Sequence, residues 1–178
     1  MKQLIISMAT LLVLTAVFAF TVSQNWAITN KYSIRFTGSG DVAGIFKTFK
    51  GGISFDDKNP AASKFDVTID VASINTGNGL MNKHAKSEEW LDAAKYPTIH
   101  FTSKKIVKAG AAYQVTGDLQ LHGVTKEVTF PFTFKTAGAT ATFNGSLTVN
   151  RSDYKIGKPG GDVSEPVKID IDVPVTKA

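Results

Sequence analysis

The chain has 178 residues, 43% hydrophobic and 20% charged, which supports one packed core in one domain and excludes both a disordered chain and a multi-span membrane protein. It has no cysteine, so a disulfide framework, a thiolate zinc site, a thiol nucleophile and a lipid anchor on an N-terminal cysteine are all excluded. The formal net charge of +5 comes from 20 Lys and Arg interspersed with 15 Asp and Glu, without a run of one sign, and by itself names no partner.

Met1 and Lys2 precede an apolar run from Leu4 to Phe20, interrupted only by Ser7, Thr10 and Thr15. The run is shorter than the roughly 20 residues of a spanning helix, and polar Thr21, Ser23, Gln24 and Asn25 follow it closely, as in a secretory signal. Small residues allow cleavage near 19–23, after Ala19 or after Ser23. The reading is a signal peptide over 1–23 and an exported domain over 24–178, located in the periplasm or secreted.

From there the pattern is period two, as a strand requires when one face is buried and the other wet. Two apolar segments come first, Trp26 to Phe36 and Val42 to Phe55, the second kinked at Gly51 and Gly52. Phe65, Val67, Ile69 and Val71 then alternate with Asp66, Thr68 and Asp70. Between Gly77 and Tyr96 the alternation stops, and the loose spacing of Leu80, Met81, His84, Leu91 and Ala94 predicts a helix over Met81–Ala94, closed by Pro97. Strands resume at Thr98 to Val107, Tyr113 to Leu121, Val128 to Phe134, Ala141 to Val149 and Val167 to Val175, with Gly117 and Gly145 on the apolar faces of theirs.

Short turns such as Ala109-Gly110, His122-Gly123 and Ala137-Gly138 join several of these strands, so neighbours are antiparallel and mostly up-and-down. Eight such strands form either a two-sheet sandwich or a closed barrel, and their length and even spacing favour the all-β barrel, which leaves no edge exposed. An eight-stranded barrel is either filled by its side chains or just wide enough for one small ligand. Parity places Phe36, Phe65, Val67, Ile69, Phe101, Leu119, Leu121, Phe130, Phe132, Phe143, Leu147 and Ile169 on the inward face; parity alone does not separate a cavity wall from a solid core.

Little in the chain suggests catalysis. His84, His100 and His122 lack metal-ligand spacing, and no serine elbow or carboxylate pair stands out. A hydrolase would need His122 with Asp118, or His84 with Asp92, as an acid–base pair. Gly157 to Gly161 is glycine-rich but precedes a strand rather than a helix, unlike a phosphate cradle, and no basic stripe with interleaved aromatics suggests nucleic acid. The other non-enzymatic alternative is an interaction domain with a filled core.

Three stretches resemble a known family. Asn82-Lys83-His84-Ala85-Lys86-Ser87, continuing through Trp90-Leu91-Asp92 to Lys95-Tyr96-Pro97-Thr98-Ile99-His100-Phe101, is similar to the His-containing helix and following strand of the YceI-like proteins. Gly117-Asp118-Leu119-Gln120-Leu121-His122-Gly123-Val124-Thr125-Lys126 matches that family's hairpin closely, and Asn150 to Gly157 resembles its turn before the last strand. The resemblance runs from about Trp26 to Val175. It implies an exported, lipocalin-like barrel that binds a polyisoprenoid or similar lipid in its cavity, with no other cofactor and no catalysis. Transient membrane contact for lipid exchange is an accompanying expectation, with the oligomeric state left open. The chain departs from the family pattern at Ala85, Trp90-Leu91 and Tyr154-Lys155, which bears on the shape of the cavity. Candidates to orient a head group at the barrel mouth are His84, Lys86 and Arg151.

Overall fold

The computed structural model describes residues 23–40, 42–160 and 163–178. The leader assigned to 1–23 therefore lies outside the described residues except for Ser23. The strands are β1 (Asn25–Ile28), β2 (Ser33–Thr37), β3 (Ala43–Phe46), β4 (Phe49–Ser54), β5 (Lys64–Asp70), β6 (Ile74–Asn75), β7 (Thr98–Ala109), β8 (Ala112–Leu121), β9 (Val124–Ala137), β10 (Thr140–Asn150) and β11 (Pro166–Lys177), with helix α1 (Gly79–Ala85) between β6 and β7.

β1 and β2 are the halves of one bent strand, and β3 and β4 the halves of the next. β2 pairs with β3 through Ile34 and Phe46, and β1 with β4 through Trp26 and Ile53. Counted so, and with β6 a two-residue appendage on β3, eight antiparallel strands follow one another around a ring. The ring closes because β11 pairs with both halves of the first strand, Ile171 opposite Ile34 and Lys177 opposite Trp26. The fold is thus the expected closed, eight-stranded barrel with one short helix. The bend in the first strand falls where Pro174, which has no N–H to donate, faces Thr29. Thr29 supplies both its N–H and its hydroxyl to the Pro174 carbonyl, at 3.0 and 2.9 Å. Across the bend the Tyr32 hydroxyl donates to the Lys47 carbonyl at 2.7 Å and accepts from the Phe49 N–H at 3.1 Å, spanning the missing part of the ladder.

Gly117 and Gly123 are dictated by their surroundings. A Cβ on Gly117 would stand 2.4 Å from the Thr102 carbonyl oxygen and 2.7 Å from the Phe101 ring, where β7 bulges between Ser103 and Lys105. His122 and Gly123, with φ of 50° and 74°, form the two-residue turn between β8 and β9, whose twist matches that of the strands it joins. A Cβ on Gly123 would also meet the Tyr96 ring at 2.5 Å.

The helix is shorter than Met81–Ala94 and starts earlier. Asn78 caps it, its side-chain oxygen accepting from the Leu80 and Met81 N–H groups. It stops at Ala85, where the Ser87 hydroxyl takes the His84 carbonyl at 2.7 Å. Beyond it the Leu91, Asp92 and Ala93 N–H groups return to Ala85, Ser87 and Lys86, and Asp92 has a φ of 41°, which an α-helix cannot contain. Leu91 and Ala94 thus lie beyond the helix, in a hydrogen-bonded irregular segment.

One end of the barrel is sealed by aromatic rings. Phe55, 1% exposed, packs edge-on against Tyr113, Phe132, Phe134 and Phe143 with centroids 4.8 to 5.5 Å apart. Trp26 rests on Phe134 and donates its indole N–H to the Phe55 carbonyl at 3.0 Å.

Candidate functional site

The interior is not filled beyond this plug. A cavity of about 160 Å³ follows it, walled only by Val, Leu, Ile and Phe. Ten of the twelve residues singled out by parity line it: Phe65, Val67, Ile69, Phe101, Leu119, Leu121, Phe130, Phe143, Leu147 and Ile169. Ile34, Phe46, Phe49, Ile53, Ile99, Val149, Ile171 and Val173 complete the wall. Ile99, Val149, Ile171 and Val173 share the inward parity of their strands and were legible by the same rule. Phe65 and Phe143 line the cavity and also touch rings of the plug, so they form its floor.

Two of the twelve lie elsewhere. Phe132 points inward but is 4% exposed within the plug, stacked on Tyr113 at 5.3 Å, and lines no part of the cavity. Parity gives the face a residue occupies, whereas its position along the barrel axis decides between plug and wall. Phe36 lies at the other end, in the wall of two further compartments.

The first of these, a neck of about 150 Å³, shares Phe46, Ile99, Leu121, Val149 and Ile169 with the inner cavity. Ala85, Trp90, Leu91, Arg151, Ile156 and Val163 roof it. The second is a vestibule of about 480 Å³ bounded by Leu80, Met81 and His84 of α1, with Thr76 and Ala43. It shares Phe36, Val42, Ala85, Trp90 and Val163 with the neck. Plug, cavity, neck and vestibule therefore lie in series, ending beside α1. The residues of the outer two compartments come largely from irregular segments, which carry no periodic signal.

The head-group candidates divide. Arg151 is 3% exposed, and its guanidinium donates to the carbonyls of Ile156 (2.9 Å), Val163 (2.8 Å) and Ser164 (3.2 Å) while lying 3.2 Å from a Glu165 carboxylate oxygen. It also lies over the Trp90 ring, 5.7 Å from its centre. These contacts make it the clamp of the 151–165 connection, with its hydrogen-bonding capacity turned onto backbone. Glu165 completes the clamp by accepting from the N–H groups of Ser152 and Gly160. Hydrogen bonding from Ser152, then from Gly160, and the charge of Arg151 hold its carboxyl below the ordinary value against an opposing desolvation. Lys86 follows α1 and lines none of the three compartments. His84 lines the vestibule, its ring 5.5 Å from that of Trp90. Trp90 itself carries a shielded indole N–H with no acceptor among the described residues.

His122 and Asp118, one acid–base pair a hydrolase would need, each engage other partners. His122 Nδ1 is 2.9 Å from the Tyr154 carbonyl, and Asp118 is held by Lys104 at 2.6 Å, with Glu127 on the same ammonium at 3.2 Å. The hydrogen bond to Asp118 is the main cause that raises the Lys104 pKa. His100 meets Asp66 at 2.8 Å, with both side chains partly exposed and neither lining the cavity. No cluster of metal-ligating side chains occurs among the described residues.

A family model described as the YceI-like domain matches residues 22–175. Among curated relatives, the protein YceI of Escherichia coli O157:H7 is 37% identical over 152 residues, which is 80% of this chain and 78% of that one. A UPF0312 protein of Pseudomonas putida is 38% identical over 149 residues, 80% and 77% of the two chains. Among solved structures, BcnA of Burkholderia cenocepacia superposes with a TM-score of 0.81 at 31% identity, over 84% of this chain and 100% of that one. A structure from Saccharophagus degradans described as a polyisoprenoid binding domain superposes with a TM-score of 0.66 at 16% identity, over 89% and 100%.

Proposed function

The chain belongs to the YceI-like family, and on that premise we propose that it is an exported carrier that holds one long apolar chain, a polyisoprenoid or a lipid of similar form, inside its barrel. The observation that carries this reading is the inner cavity walled entirely by hydrocarbon and continued by a neck and a vestibule toward the surface. Such a wall offers no hydrogen bond to water or to a polar ligand, and its affinity comes from apolar contact. Each methylene moved from water contributes about 0.8 kcal/mol, so a five-carbon isoprene unit contributes up to about 4 kcal/mol before ordering costs. The Saccharophagus degradans domain supports the reading through fold only, given its 16% identity.

The proposed activity is binding without turnover or cofactor. With Arg151 committed to backbone carbonyls, orientation of a head group falls to His84 and to the unpaired Trp90 N–H, which is suited to an uncharged oxygen acceptor. Export is supported by the apolar leader and by a family match that begins at residue 22.

The test is lipid extraction and mass spectrometry of the exported protein, followed by thermal unfolding with and without geranylgeraniol. A co-purifying prenyl lipid is expected. At a hundredfold excess over Kd the alcohol should add about 2.7 kcal/mol, a rise of roughly 5 to 10 °C in Tm for a chain of this size. Protein free of lipid, with a Tm that the alcohol does not move, would refute the carrier and favour an interaction domain.

A further inference from the structure

Among the described residues, Leu80 and Met81 are the large apolar side chains left exposed, at 77% and 36%, and they are consecutive. Both belong to α1 and both bound the vestibule, the outermost of the compartments in series with the cavity. A leucine held in water at the start of a surface helix contributes nothing to the barrel. Its charged neighbours in sequence are of one sign: residues 71–87 contain no Asp or Glu, while Lys83 and Lys86 stand on or directly after the helix, and Glu88 and Glu89 come only later.

We propose that α1 is the docking element for an anionic lipid bilayer, with Leu80 and Met81 entering the acyl boundary and Lys83 and Lys86 meeting lipid phosphates. This rests on the carrier reading, which explains why an apolar surface adjoins the mouth. A cargo with little solubility in water is exchanged most directly where its acyl surroundings continue into the protein, and the exposed pair stands at that point. The capping of α1 by Asn78 fixes the helix in place, so docking requires no folding on the membrane. A protein partner would use the same leucine through a matching pocket, but the cations beside it and its continuity with a lipid-sized channel favour the bilayer.

The experiment uses the protein purified after export. Flotation is measured with phosphatidylcholine vesicles and with vesicles containing about 30% phosphatidylglycerol. The protein should float with the anionic vesicles and lose much of that binding at high salt. Leu80→Asn should lower partition about tenfold, as expected for one buried leucine. Lys83→Gln and Lys86→Gln should each lower it about fivefold on anionic vesicles only. Leu80 is 77% exposed, so the variant keeps the core intact, and its melting temperature without lipid should equal that of the parent. Absence of flotation in the parent, or flotation of Leu80→Asn at the parent's level, overturns the docking. Loss of the geranylgeraniol shift in a parent that still floats removes the carrier reading instead, so the two failures are distinct.

Discussion

Phe143 forms part of the cavity floor, and its replacement by alanine separates ligand space from packing. The ring faces empty volume on one side and on the other meets Phe134 at 4.8 Å, Phe55 at 5.4 Å and Phe65 at 5.6 Å. A fully packed Phe→Ala change costs about 3 to 5 kcal/mol. Because the cavity side of the ring has few contacts to lose, the lower end applies, about 3 kcal/mol, or a fall of roughly 6 to 12 °C in Tm. The space released joins the cavity, so a longer prenol can refill it with methylenes worth about 0.8 kcal/mol each. Thermal unfolding across a series of prenols of increasing length should therefore show Phe143→Ala unstable alone, partly rescued by the longer members, and shifted toward them in preference. Phe132→Ala is the control: it sits in the plug, so it should destabilise at least as much and leave the preferred length unchanged. An equal deficit for Phe143→Ala with and without every prenol, or an unchanged length preference, would refute the placement of the floor.

Arg151→Lys should destabilise by about 3 to 5 kcal/mol in urea titrations, since one ammonium cannot serve the carbonyls that the guanidinium fork reaches; unchanged stability would show that the clamp is dispensable. Trp90→Phe keeps a ring in the neck and removes its unpaired donor, so affinity for geranylgeraniol should fall about fivefold while that for the matching hydrocarbon stays constant, read by calorimetry. Glu165 has its pKa lowered on folding, first by Ser152, so its contribution to stability is present above the unfolded value near 4.5 and disappears as pH falls through the folded value. Urea midpoints of Glu165→Gln should therefore lack that part of the parent's acid loss, and parallel pH profiles for the two proteins would refute it.

Most of the wall was legible because a strand reports its inward face by alternate residues. Val67, Leu119 and Ile169 were placed by that rule alone. It fails where axial position matters: Phe132 and Phe143 share inward parity, yet one stacks on Tyr113 inside the plug and the other borders open space. The helix was misjudged because Leu91 and Ala94 repeat at helical intervals across a segment whose hydrogen bonds close short turns around a left-handed Asp92. Arg151 is a head-group candidate by sequence, yet it is buried. Its burial depends on carbonyls at 156, 163 and 164, whose convergence no local pattern announces.

The meander itself decides where the site can open. In a ring of strands that run alternately up and down, successive connections fall at opposite ends. The plug end receives 55–63 and two-residue turns at 110–111 and 138–139, and Phe55 on the first of these is the hub of the aromatic cluster. The mouth receives the connection after Asp70, which carries α1 and Trp90, and the one after Asn150, which carries Arg151 and Val163. The two longest connections, 71–97 and 151–165, share the mouth, and the neck and vestibule lie between them. Arg151 binds the backbone of one of them and lies against Trp90 of the other, holding both in place without filling the space between them. The segments least readable as strand or helix are thus the ones that give the apolar interior its way out, and the pair left exposed on α1 lies where that way meets the surface.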